Sequence, residues 1–287
     1  MDTGLKRRDP VTGAWSVHPD LQHKPFTLAE RHLPEPAGPC TFCMLAAEPV
    51  NEHGEIRNGT QISRLDHTGP HTFALANRWR PFEESSGAQL VIARRHVSSV
   101  EELEPDELVE FLTVLLSLRE RQATAFHRTL AFVNVGLEVN GTQPHLHGQV
   151  VSSDLEAPAP LAPGPTAESL AEDVTLGRAH DLIVAETATF LTYCPWAPTA
   201  SGETRVTAST REGLAKGVLR ALDPMLAVFG NFPYNLVVHG GSTMLVQIVP
   251  RFTAVGILPD YFGMTVITVP PEELAPSLRE QRAGATA

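Results

Sequence analysis

The chain has 287 residues, 42% apolar and 19% charged, with 22 basic against 33 acidic side chains and a formal net charge of −11. That length supports one large domain or two of ordinary size and excludes a miniprotein held together by staples. No uncharged apolar run approaches the roughly 20 residues of a bilayer-spanning helix, and the acidic balance repels polyanions, so neither a membrane nor a nucleic acid is expected as a partner. A small anionic ligand is compatible with that charge, because a few donors in a cleft hold a phosphate.

The amino-terminal MDTGLKRRDP has basic residues without an apolar stretch behind them, which predicts no secretory signal and a cytoplasmic protein. Pro10, Gly13, Pro19, Pro25, Pro34, Pro36, Gly38 and Pro39 punctuate residues 1–60, a stretch that reads as an irregular arm. Within it Cys40 and Cys43 form C-x-x-C. Three cysteines are too few for a disulfide scaffold, and this pair suits metal or redox chemistry; Cys194 reads as a small buried or loop residue.

Strands are expected at 72–75, 89–93 and 130–135. Between the last two, Pro105 suits a helix first turn, and Leu108, Leu112, Leu115, Leu116 and Arg119 recur at helical spacing. Residues 157–166 (APAPLAPGPT) hold four prolines and a glycine, the composition of a linker. The expected domains are therefore 1–156 and 169–287, joined by 157–168. The second half repeats the order of the first, with strands at 182–186 and 189–193, a helix at 210–229, and strands at 234–238 and 244–249.

The most informative segment runs from Asn134 to Val151. From His145 onward its alternation suggests a strand, with His145, His147 and Gln149 on one face and Leu146, Gly148 and Val150 on the other. The bland reading is two histidines in ordinary hydrogen bonds at a sheet edge. The alternative is chemistry. A neutral imidazole is a competent nucleophile towards phosphorus near pH 7, because its unperturbed pKa of about 6.5 leaves a ring nitrogen free.

His145-Leu146-His147-Gly148-Gln149 resembles the H-P-H-G-Q motif of the galactose-1-phosphate uridylyltransferases, within the histidine-triad superfamily. Arg8-Asp9-Pro10-Val11-Thr12-Gly13-Ala14-Trp15 is similar to that family's R-x-[DN]-P-x-T-G-x-W, and Cys40-Thr41-Phe42-Cys43 to its C-x-F-C. Asn77-Arg78-Trp79-Arg80-Pro81-Phe82 resembles its N-x-F-P segment, and Asn134 stands eleven residues before His145, like the family's nucleotide-contacting asparagine. Pro233-Tyr234-Asn235, His239 and Pro250-Arg251 follow in family order.

The resemblance implies an α+β protein of two histidine-triad-like domains, each an antiparallel sheet flanked by helices. It makes His147 the nucleophile and Gln149 a donor to the transferring phosphoryl oxygens. Asn77, Asn134, Gly141, Thr142 and Lys24 become substrate contacts, with Trp79 or Phe82 near the base. Lys24 stands where the family has a phosphate-binding arginine, keeping charge but losing bidentate geometry. Cys40, Cys43, His96 and His145 correspond to the family's structural zinc ligands, and two thiolates with two imidazoles make a complete tetrahedral set. A homodimer is implied as well.

Departures from the pattern are specific. Leu21 stands where the family has a second arginine. The stretch Met244–Val249 lacks the paired histidines that hold a second metal in some members with a partner equivalent to His239, so no second metal is expected. Asp260-Tyr261-Phe262-Gly263-Met264 departs from the substrate-contacting pattern near the carboxyl terminus.

Three functions follow. The first is a nucleotidylyltransferase moving a nucleoside monophosphate from a nucleotide sugar to a sugar 1-phosphate by double displacement through His147. The second is a phosphorylase of an ADP-sugar or a dinucleoside polyphosphate, with inorganic phosphate as acceptor. The third is a non-catalytic, zinc-stabilised nucleotide-binding protein.

Overall fold

The structure, a computed structural model, describes residues 6–18, 31–33, 38–58, 61–77, 86–141, 143–154, 165–252 and 264–284. The chain divides into two compact units, Leu33–Glu156 and a second that joins Met1–His32 to Ala157–Ala287. The amino-terminal arm, expected with the first domain, thus groups with the second. Its strands β1 (Lys6–Arg8) and β2 (Trp15–Val17) pair antiparallel. The turn between them is built by Asp9, whose carboxylate accepts the Val11 N–H at 3.1 Å and the Thr12 hydroxyl at 2.5 Å. Gly13, at φ 73°, closes the turn by donating its N–H to the Asp9 carbonyl.

The Leu33–Glu156 unit contains α1 (Thr41–Ala47), β3 (Glu55–Asn58), β4 (Gln61–Thr68), β5 (Thr72–Ala76), β6 (Ser86–Ala93), α2 (Pro105–Ala123), β7 (Arg128–Val135) and β8 (His147–Ser153). Its strands run in the order β3-β4-β5-β6-β8-β7 with antiparallel neighbours throughout. The irregular arm expected over residues 1–60 therefore holds β1, β2, α1 and β3. Elements of three to seven residues are too short to show a period.

Helix α2 starts on Pro105, with Glu104 and Glu107 capping each other reciprocally, and buries Leu108, Leu112, Leu115 and Leu116 as the periodicity predicts. It covers one face of β8. A Cβ on Gly148 would lie 3.0 Å from Leu115 Cδ1 and 3.3 Å from Phe111 Cζ, so glycine lets the helix sit down on the strand. On the opposite face, Phe42 and Leu45 of α1 pack with Ile56, Phe73, Leu75 and Ile92.

The second unit continues with α3 (Ala167–Ala179), β9 (Ile183–Glu186), β10 (Phe190–Tyr193), β11 (Thr204–Ala208), α4 (Arg211–Phe229), β12 (Tyr234–His239), β13 (Met244–Pro250), β14 (Met264–Val266) and α5 (Pro271–Gly284). Thr166 caps α3 by accepting the Ser169 N–H at 3.1 Å, so this helix begins inside the span expected to be linker. The strands run β12-β13-β11-β10-β9, while β14 joins β2 in parallel. The run β10-β11-β13-β12, with α4 between β11 and β12 in sequence, reproduces β5-β6-β8-β7 with α2 between β6 and β7. Both halves are thus of the expected α+β class.

Helix α4 lies against the β11 face that carries Val206, since a Cβ on Gly217 would meet Val206 Cγ1 at 2.5 Å. The other face of β11 holds the fully buried Arg205. Its guanidinium donates to Asp9 at 2.7 and 2.9 Å, to Asp173 at 2.7 Å and to Glu203 at 2.8 Å. Burial opposes the charge, but the three carboxylates outweigh it and hold Arg205 well above its usual range. Burial likewise pushes Asp173 up, and Tyr193 donates its hydroxyl to it at 2.5 Å. Val11 and Leu170 pack against Leu245 of β13 on this same side. Among the described residues no helix is long and apolar enough to cross a membrane.

Candidate active site and metal centre

β8 is the central strand of β6-β8-β7, so its side chains have neighbours on both sides. Ile92 lies opposite His147, and Leu90 opposite Gln149, on β6; Phe132 lies opposite Gln149 on β7. The two-residue period then places Asn134 on the face of Phe132, next to His147. Asn77 directly follows β5, on the face of Phe73 and Leu75, and its N–H donates to the Ala88 carbonyl at 2.9 Å. His147, Gln149, Asn134 and Asn77 therefore share the sheet face away from α2. A cavity of about 660 Å³ also reaches Asn77, but it opens on the α2 side of the sheet: its lining residue Gln89 lies opposite Val150, and Asp66 accepts from Arg121 of α2.

The strand begins at His147, two residues later than the alternation suggests. Leu146 is pinned instead to the segment after β6: its N–H donates to Val97 and its carbonyl accepts from Ala93. That pinning orients His147. Its Nδ1 lies 3.0 Å from the His145 carbonyl oxygen, which can only accept, so Nδ1 bears the proton and Nε2 keeps its lone pair. Burial lowers the His147 pKa against the opposing effect of that hydrogen bond, and the ring is the neutral base at pH 7. It is 8% exposed, while Gln149 is half-buried.

Two residues upstream, His145 turns towards Cys40 and Cys43. The potential ligand atoms of Cys40, Cys43, His96 and His145 all lie within 4.8 Å of one another. The Sγ–Nδ1 separations are 3.3 Å for Cys40–His145, 3.5 Å for Cys43–His145 and 3.2 Å for Cys43–His96. Ligand bonds of about 2.3 Å to sulfur and 2.0–2.1 Å to nitrogen would put a tetrahedral S–N edge near ~3.6 Å, so the set fits one ion. The tautomer agrees: His145 Nε2 donates to the Ala93 carbonyl at 2.6 Å, leaving Nδ1 unprotonated for a metal.

Local structure explains why the four meet. Cys40 stands at the N-cap position of α1 and Cys43 lies within its first turn, so both thiols face one side. His96 sits in a loop clamped by Arg94, which donates to the Gly69 carbonyl, the Ala46 carbonyl and the Thr68 hydroxyl at 2.7, 3.2 and 2.8 Å. Four protein ligands would fill a tetrahedral coordination sphere, so the cluster could hold one metal ion with no open position.

The loop between β7 and β8 is shaped by Gly136, at φ 109°, and Asn140, at φ 59°. Gly141 donates its N–H to the Gly136 carbonyl at 2.9 Å, and a Cβ there would come within 2.6 Å of that oxygen. Its N–H is thus committed inside the loop. Thr142, Lys24, Leu21, Trp79 and Phe82 lie outside the described residues.

Three contributors were not foreseen. The Ala93 carbonyl has no sequence signature, and Arg94 reads as an ordinary surface cation. Phe42 had one cue, its place between the two cysteines, but no spacing argument could say what its ring touches.

The sequence matches no protein-family model and no curated protein. The structure is similar to that of a GalT-like protein from Arabidopsis thaliana, with a TM-score of 0.67 at 16% identity over 96% of this chain and 98% of that one. It is equally similar to an ADP-glucose phosphorylase from Arabidopsis thaliana with bound ADP-glucose, with the same TM-score, identity and coverage. A uridylyltransferase superposes with a TM-score of 0.62 at 16% identity, over 98% of this chain and 99% of that one. At these identities the likeness speaks for architecture alone: the chain has the α+β fold of the GalT-like protein and the uridylyltransferase.

Proposed function

We propose that the protein is a nucleotidyltransferase that works by double displacement through His147. The observation that carries this reading is the hydrogen bond from His147 Nδ1 to the His145 carbonyl, which leaves a neutral Nε2 lone pair on the face shared with Gln149, Asn134 and Asn77. In the first step Nε2 attacks the α-phosphorus of a nucleotide sugar. An N–P bond forms, the P–O bond to the β-phosphate breaks, and sugar 1-phosphate leaves with the bond pair. In the second step a phosphate oxygen of the acceptor attacks the same phosphorus, and the electron pair of the N–P bond returns to Nε2.

The leaving group is a weakly basic phosphate, so a general acid is dispensable. What the chain contributes is orientation and donors for the equatorial oxygens. Gln149 supplies an amide N–H there, and Asn134 and Asn77 contact the phosphate or ribose. Cys40, Cys43, His96 and His145 would hold a structural zinc ion, whose coordination fixes the strand entrance at His145. Fold-level likeness to an ADP-glucose phosphorylase supports a second reading, in which inorganic phosphate takes the nucleotidyl group from the same intermediate.

Isotope exchange tests the double displacement. With a uridine or adenosine diphosphate sugar as sole donor, labelled sugar 1-phosphate is expected to enter the nucleotide sugar without any second acceptor. His147→Gly should suppress that exchange at least about a thousandfold. Absence of exchange with every donor would overturn the proposal. Nucleoside diphosphate formed on adding phosphate alone would select the phosphorylase reading.

A further inference from the structure

We infer that Phe42 is a positioning residue that holds the His147 ring at its attacking angle and ties that angle to the metal-ligating turn. The inference rests on the reading of His147 as nucleophile. A single hydrogen bond at Nδ1 pins one edge of the imidazole but leaves it free to rock about that bond, which sweeps the Nε2 lone pair across the approach to phosphorus. In-line displacement tolerates little of that sweep.

The Phe42 ring blocks it. Its centroid lies 5.2 Å from that of His147, with the planes at 64°, and 5.7 Å from that of His145, with the planes at 87°. Both are edge-type contacts of the kind aromatic rings favour. Phe42 itself cannot retreat: it is 7% exposed and is backed by Leu45, Ile56, Phe73, Leu75 and Ile92, the last being the cross-strand neighbour of His147. It also lies between Cys40 and Cys43 in the same turn of α1. One buried ring thus touches a metal-ligand imidazole and the nucleophilic imidazole while sharing a helical turn with the two thiols.

The test uses the zinc-loaded full chain with ¹⁵N-labelled histidine. Phe42→Leu is expected to lower kcat for nucleotidyl transfer about ten- to a hundredfold with KM unchanged. The His147 ring signals, sharp and Nδ1-protonated in the parent, should broaden, while one zinc per chain is retained. Phe42→Tyr, which keeps a ring, should restore both rate and signals, and Phe42→Met, whose unbranched flexible side chain fills irregular gaps, serves if the leucine variant does not fold. Unchanged ring signals and kcat in a ringless variant would overturn the inference, as would zinc loss in both ringless variants, which would assign Phe42 a purely structural role. A parent protein that forms no nucleotidyl adduct refutes the functional reading instead, and the ring signals still decide on Phe42.

Discussion

Strands β8 and β13 occupy the same place in their respective units: each is the inner strand of a β-α-β-β arrangement, with a long helix across one face. On the face away from the helix, β8 presents His147 and Gln149, with Asn134 alongside on β7. The same face in the second unit carries Gln247 of β13, Arg205 of β11 and His239 of β12. There every group is consumed internally. His239 Nε2 lies 2.9 Å from Gln247 Oε1, the Gln247 amide donates to Glu203 at 3.0 Å, and Arg205 is saturated by Asp9, Glu203 and Asp173. In the second unit this face is a lock, closed by a second layer of polar partners, whereas in the proposed function the equivalent face of the first unit is the reaction surface. In the lock, the arm residue Asp9 and the α3 residue Asp173 do the closing.

The sharpest way to break that contrast is Arg205→Ala. It leaves Asp9, Asp173 and Glu203 buried around a missing cation, and it should cost about 3–5 kcal/mol of stability, read by denaturant unfolding. His147→Gly, on the equivalent face of the first unit, should change stability far less while abolishing transfer. A response to Arg205→Ala no greater than that to His147→Gly would show that the buried network is not the lock described.

A smaller effect separates the two helix contacts. Gly148→Val and Gly217→Val each force side chains into a packed helix–strand seam and should each cost about 1–3 kcal/mol. Only Gly148→Val displaces the strand bearing the proposed nucleophile, so only it should depress kcat beyond what the folded fraction explains. The mildest perturbation is metal removal: in zinc-loaded protein, a chelator should raise amide hydrogen exchange in residues 40–47 and 143–147 and leave the β11 and β13 amides protected. Equal loss in both sets would mean that the metal site holds the whole chain together rather than one corner of it.

Much of the fold is legible in the sequence wherever apolar side chains keep a period or form a short unbroken run. α2, α4 and the strands β5 to β10, β12 and β13 are of that kind. Other elements hide for identifiable reasons. α3 buries Leu170, Asp173 and Gly177, a stripe with a single large apolar residue, because its inward face serves a salt-bridge network. β11 is buried along its length yet has an arginine at its second position, which argues against a core strand until its three carboxylates are known. β4 leaves Ile62 70% exposed and bulges between Leu65 and His67, so its alternation is broken.

At the site, residue chemistry and motif order single out Cys40, Cys43, His96 and His145, and the four thiol and imidazole groups do converge. Gly141 instead spends its N–H on Gly136, a backbone interaction that composition cannot show. The tautomers of His145 and His147 are equally invisible in sequence, because both are set by carbonyl oxygens, of Ala93 and of His145, that any residue would supply.

The central claim is a covalent one and can be weighed directly. Intact protein incubated with a nucleotide sugar in the absence of acceptor should gain the mass of one nucleoside monophosphate, mapped by peptide sequencing to His147, stable in base and lost in acid. An adduct on any other residue, or product formed in a single turnover while the protein mass never changes, would contradict the account.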